Sequence, residues 1–129
     1  MTLNIQNTEQ EFINLLISGN RKLCSEFAKN YMSGGAQIEE LYELILKKAL
    51  YQVGELWETN KISVATEHLA SAIVEAILNE FYSTIISEKK INKTVIVACV
   101  ENEFHQIGIK MISDIFELNG WNSYLFFKI

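Results

Sequence analysis

Two small groups of residues carry atoms able to do chemistry. The first is Trp57 with Glu67 and His68, where ten positions separate the indole from the acid-imidazole pair. The second is Glu103, His105 and Gly108. The chain has two histidines, and one falls in each group. A neutral imidazole is a good nitrogen ligand for a transition metal, and a carboxylate beside it can hold its other N–H and raise its basicity. Gly108 permits close approach of backbone to a ligand. In the first group the indole can cover a flat apolar ligand while Glu67 and His68 supply hydrogen bonds. Each group also admits a plainer role: Trp57 plugging the end of a helical bundle beside a satisfied helix histidine, and His105 as a surface-loop residue with no ligand.

These residues must be positioned by helices first and strands afterwards. Thr8-x-x-Glu11 has the form of a capping box, and Phe12, Leu15 and Leu16 follow at helical spacing until Gly19. A second helix is expected from about Asn20 to Met32, with Leu23, Phe27 and Tyr31 on one stripe and Gly34-Gly35 as a left-handed stop. From Gln37 to Glu58, Ile38, Leu41, Ile45, Ala49, Val53 and Leu56 recur at steps of three and four, which predicts one long amphipathic helix. After the polar break Thr59 to Ile62, Ser63 can cap a fourth helix carrying Leu69, Ile73, Ile77 and Phe81, ending near Ser87. Four helices on short connections make a bundle, and the connection between the last two brings Trp57, Glu67 and His68 to one end of it.

At Lys89 to Lys93 the composition turns basic and polar, and the period changes. Thr94 to Val100 is a β-branched run of the kind found in strands buried on both faces. A loop, a helix from about Gln106 to Leu118 closed by Asn119-Gly120, and a second strand at Asn122 to Phe127 complete one βαβ unit. Two parallel strands and one helix do not make a stable open sheet by themselves, so this reads as the start of a doubly wound α/β domain. Ligands of such sheets bind at the carboxyl ends of the strands, where Glu103 and His105 lie.

Composition removes several function classes. The 129 residues are 49% hydrophobic and 21% charged, which suits a packed domain and excludes a disordered chain. A net charge of -5 argues against non-specific binding to a phosphate backbone. The longest apolar run, Val95 to Val100, is far below the ~18 residues of a membrane span, and the first ten residues lack a signal-peptide pattern, so a cytoplasmic protein without membrane contact is expected. Cys24 and Cys99 lack C-x-x-C spacing and read as buried thiols. The chain contains no proline, as fits long uninterrupted helices. There is no H-E-x-x-H, no E-x-x-H pair, no G-x-S-x-G, no P-loop and no G-x-G-x-x-G, so an autonomous enzyme is not expected.

Taken together, Trp57-x9-Glu67-His68 within Leu56 to Ala70 resembles the cap-bundle motif of cobalamin-binding regulators, the adenosylcobalamin-dependent light-sensing relatives of MerR-type repressors. Glu103-x-His105-x-x-Gly108 resembles the D/E-x-H-x-x-G signature of B12-binding domains, shared with methionine synthase and the corrinoid proteins of methyltransferase systems. The resemblance implies a four-helix cap over residues 1–90 and a partial Rossmann-like cobalamin-binding domain over 91–129. It further implies that His105 is the lower axial ligand to cobalt, supported by Glu103, with Gly108 letting the helix approach the corrin. Trp57 would cover the adenosyl or methyl group of the cofactor, Val64 would line that pocket, and Glu67 and His68 would contact the upper ligand. The pattern departs from the family in three ways. Glu58 stands where some light sensors carry histidine, the later S-x-L and Gly-Gly segments have no counterpart before Ile129, and the amino-terminal DNA-binding helices are absent.

Three functions compete. The first is a sensory or regulatory cobalamin module, working in transcription regulation or light reception as a homo-oligomer or with a partner chain. The second is a corrinoid carrier subunit of a methyltransferase system, without activity of its own. The third is a helical dimerisation module with a vestigial B12 site.

Overall fold

The structure, a computed structural model, describes residues 5–100 and 106–126. It is mostly helical, with one small parallel sheet near the end of the chain.

The amino-terminal helix α1 spans Ile5–Ile17. It runs through Thr8, so Thr8-x-x-Glu11 is an interior stretch of the helix and not its capping box; no glycine or proline before Thr8 interrupts the helix. Gly19, at φ +72°, ends it. Asn20 then caps α2 (Arg21–Ser33), its side-chain oxygen accepting from the Leu23 amide at 3.1 Å. Gly35 at φ +93° closes that helix in the left-handed conformation. The buried stripe of α2 is Cys24 and Ala28. Leu23, expected on it, is exposed, because the face packed against α1 lies one position further round. Phe27 meets Phe12 of α1 with ring centroids 5.2 Å apart.

The predicted long helix exists but is not uniform. It begins as α3 (Ile38–Glu40), widens into a π-helical stretch over Leu41–Lys47, and returns to α-helix as α4 (Lys48–Glu58). The stretch buries Tyr42 and Leu46 together with Leu41 and Ile45. A π-turn closes hydrogen bonds over five residues rather than four, so a stripe read at 3.6 residues per turn does not capture it. After the connection 59–63, α5 runs Val64–Ile85. It buries Ala70, Ile73, Val74, Ile77, Leu78 and Ile85, while Leu69 is exposed.

The chain divides into two compact units, Met1–Ile77 and Leu78–Ile129, the division falling inside α5. In the first, α1 packs on α2, on α4 and on the π-helical stretch around a core that includes Phe12, Ile13, Leu16, Leu41, Ile45 and Leu46. Cys24 lies in that core, and burial pushes its thiol up to about 11. No helix among the described residues is long and apolar enough to cross a membrane.

In the second unit β1 (Thr94–Ala98) pairs in parallel with β2 (Asn122–Phe126), Thr94 opposite Asn122 and Ala98 opposite Phe126, with α6 (Ile107–Leu118) between them in sequence. This is the βαβ unit that the change of period predicts. Ser113 of α6 and Ser123 of β2 share a hydrogen bond of 2.6 Å. The approach to β1 is laid against the turn after α6: the Ile91 amide donates to the Gly120 carbonyl at 3.1 Å and the Asn122 amide to the Lys93 carbonyl at 2.8 Å. Gly120, at φ +92°, faces the Lys89 carbonyl so closely that a Cβ would run into it. One expectation fails here. β1 is not buried on both faces: Ile96 is 62% exposed, and its register partner Tyr124 is exposed with it. Among the described residues α6 packs on both strands.

Candidate functional site

Trp57 is the penultimate residue of α4, and the way that helix stops decides where the indole sits. Asn60 takes the left-handed conformation at φ 60°. Its amide donates to the Trp57 carbonyl at 3.0 Å, and the Lys61 amide donates to the Leu56 carbonyl at 2.8 Å. This is a Schellman closure with asparagine in the position glycine most often holds. The Thr59 hydroxyl donates at 2.9 Å to the Glu55 carbonyl, which also accepts from the Thr59 amide at 3.0 Å. The indole is 43% exposed. Trp57 therefore does not act as a buried plug in its own unit.

On the far side of the connection Ser63 caps α5, its hydroxyl oxygen accepting from the Thr66 amide at 3.1 Å, as its type and position predict. Val64, first residue of the helix, is 47% exposed. Glu67 follows in the first turn, where the helix dipole favours a negative charge. Its carboxylate is buried, at 7% exposure, and held from two sides. One oxygen, Oε1, accepts from the Ser71 hydroxyl at 3.2 Å, and Oε2 lies 2.7 Å from His68 Nδ1. The His68 side chain is itself 74% exposed. The structure thus joins Glu67 directly to His68 and places two half-exposed apolar side chains, Trp57 and Val64, on the two flanks of the same short connection.

Ser71 is the residue that sequence reasoning missed. Its signal was present: it stands four residues after Glu67, the spacing at which helix side chains meet.

Of the second group, Glu103 and His105 lie outside the described residues. Gly108 is the second residue of α6, and a Cβ built on it would meet nothing within 4 Å. Nothing among the described residues requires glycine there. No group of three or more His, Cys, Asp or Glu side chains able to hold a metal occurs among the described residues.

A flat, largely apolar cofactor with a polar ligand fits what the first group presents, namely a half-exposed tryptophan and valine at the two ends of a short connection and, in the first turn of α5, an imidazole braced by a buried acid.

Comparison with known proteins bears on this fit. The fold is similar to that of the Methanosarcina barkeri monomethylamine corrinoid protein, with a TM-score of 0.77 over 95% of this chain and 14% sequence identity. This chain spans 58% of that protein's length, and at such identity the likeness concerns the fold. No curated protein sequence matches the chain. A family model described as B12 binding domain matches residues 8–81, more than half of the chain, from within α1 through Trp57, Glu67 and His68. The chain belongs to the B12 binding domain family.

Proposed function

We propose that the chain is a non-catalytic cobalamin-binding module with a sensory or regulatory role, reading the upper ligand of the cofactor through Trp57, Val64, Glu67 and His68. The observation that carries the proposal is the Glu67–His68 pair, 2.7 Å between Oε2 and Nδ1, ten residues along the chain from a tryptophan left 43% exposed. Exposed tryptophan with a braced imidazole is a surface prepared for a ligand with both a flat apolar part and polar groups. His105 would hold the cobalt of the cofactor, supported by Glu103, and Gly108 would allow backbone approach. When bound, cobalamin supplies a cobalt–carbon bond as the reactive feature. The residues of this chain hold the corrin, cover its upper ligand and exclude water from it.

The proposed division of labour is a helical cap over 1–90 and the beginning of a Rossmann-like domain over 91–129. The module is proposed to work in the cytoplasm as a homo-oligomer or with a partner chain, without touching nucleic acid or membrane itself. An absorbance titration of the chain with adenosyl- and methylcobalamin tests the core of the proposal. A spectral shift that is lost in His105→Ala is expected, and no shift with either cofactor overturns it.

A second reading makes the chain a corrinoid carrier that presents methylcobalamin to a methyltransferase. It is favoured by the fold likeness to a monomethylamine corrinoid protein and by Glu58 in place of the histidine that some light sensors carry. Methyl transfer to bound cob(I)alamin from a partner supports the carrier. A light-triggered change of oligomeric state with adenosylcobalamin supports the sensor.

A further inference from the structure

We infer that Ser71 is a positioning residue: through Glu67 it holds the His68 imidazole in the tautomer with hydrogen on Nδ1, so that Nε2 meets a ligand as an acceptor. This rests on the reading of Glu67 and His68 as the ligand-facing pair of the cobalamin module.

The inference follows from donor and acceptor counting. An ionised carboxylate only accepts hydrogen bonds. With His68 Nδ1 2.7 Å from Glu67 Oε2, the proton between them belongs to the imidazole. The neutral ring then has its lone pair on Nε2, and the side chain that carries it is 74% exposed. Such a nitrogen accepts from a hydroxyl or amine, and an acceptor group of a ligand would face it lone pair to lone pair.

What keeps Oε2 turned towards the ring is the other oxygen. Oε1 accepts from the Ser71 hydroxyl at 3.2 Å, one helical turn further along α5. A glutamate held by both oxygens has lost its rotational freedom, and the carboxylate is buried, so water cannot easily take Ser71's place. Ser71 is half-buried and reaches the exposed imidazole through Glu67 alone. The arrangement is that of a ligand-facing histidine oriented by an acid that is itself oriented by a hydroxyl.

The test uses the full chain labelled with ¹⁵N-histidine, without cofactor. There are two histidines, so the His105→Ala spectrum assigns the signals. Long-range ¹H–¹⁵N correlations should show His68 mainly as the Nδ1–H tautomer in the wild type. Ser71→Ala should shift it towards the Nε2–H form that free imidazole prefers, and Ser71→Thr, which keeps the hydroxyl, should restore the wild-type pattern. Cobalamin affinity should fall about 3- to 10-fold in Ser71→Ala, the value of one net hydrogen bond, and return in Ser71→Thr. A wild-type His68 in the Nε2–H form, or a tautomer unmoved by Ser71→Ala, overturns the inference. Failure of the wild-type chain to bind cobalamin at all overturns the functional reading and leaves the tautomer result standing on its own.

Discussion

The Lys61 amide is hydrogen-bonded to the Leu56 carbonyl at 2.8 Å, and with the Asn60–Trp57 bond it closes α4 one residue after Trp57. It exists because Asn60 between them adopts φ 60°. Asparagine tolerates the left-handed region, whereas a β-branched residue there is strained. Asn60→Val should therefore lower stability by roughly 1–2 kcal/mol and loosen the indole, while Asn60→Gly should change it by a few tenths at most. Urea unfolding followed by circular dichroism and by Trp fluorescence reads both effects.

Gly120 combines a left-handed backbone with a neighbouring carbonyl, that of Lys89, in the place of a side chain. Rearranging a side chain cannot make room, because the obstacle is main chain. Gly120→Ala should cost at least ~2 kcal/mol and disturb first the hydrogen bonds of Ile91 and Asn122 that tie the approach of β1 to the turn after α6. Amide exchange at those two residues should rise before that of α1 or α2.

The exposed position of Trp57 and the plug role that the sequence also admits make opposite forecasts. A buried plug removed by Trp57→Ala would cost about 3–5 kcal/mol. A half-exposed lid should cost less than ~1 kcal/mol but weaken cobalamin binding by ~10-fold or more. Denaturation and absorbance titration of the same variant separate them, and the second outcome is expected.

Cys24 should resist thiol reagents in the folded chain and react on unfolding, since burial holds its thiol neutral to about 11 against an ordinary 9.0. The native state favours the protonated thiol, so its contribution to stability is complete below pH 9 and is lost as pH rises from there to about 11. The melting temperature should fall across that interval, and Cys24→Ala should lessen the fall. A remainder is owed to Tyr31, whose hydroxyl is raised by burial and by the charges of Glu40 and Glu9, and to Tyr82, raised by burial and by its hydrogen bond to Glu117.

Much of this architecture is legible in residue order because it is local. Asn20, Ser63 and Gly35 cap or stop helices through contacts within a few positions, and the Thr94–Ala98 run switches to strand where its β-branched residues begin. Features that depend on which neighbour arrives are less legible. The buried stripe of α2 sits one position away from the expected one, on Cys24 rather than Leu23, while α5 buries the expected Ile73 and Ile77 but takes in Ala70, Val74 and Leu78 and leaves Leu69 exposed. Periodicity fixes a spacing but not the phase at which a partner packs. The cover of β1 is non-local too: an apolar run says that a strand can be buried on two faces, whereas Ile96 shows that only what packs there decides. In the site, Glu67 and His68 are adjacent and were visible together. The part of Ser71 depends on Glu67 turning inward, which no spacing states.

The π-helical stretch of Leu41–Lys47 acts as a phase shifter. Each residue of an α-helix turns the chain by about 100°, so one residue accommodated in a widened turn rotates everything after it by that much relative to everything before. Trp57 lies after the stretch, on the same continuous rod as Ile38 and Leu41. The direction in which its indole looks is thus set more than two turns upstream, at residues that include the buried Leu41, Tyr42, Ile45 and Leu46. Removing one residue between 41 and 47 would leave a more regular helix aimed the wrong way.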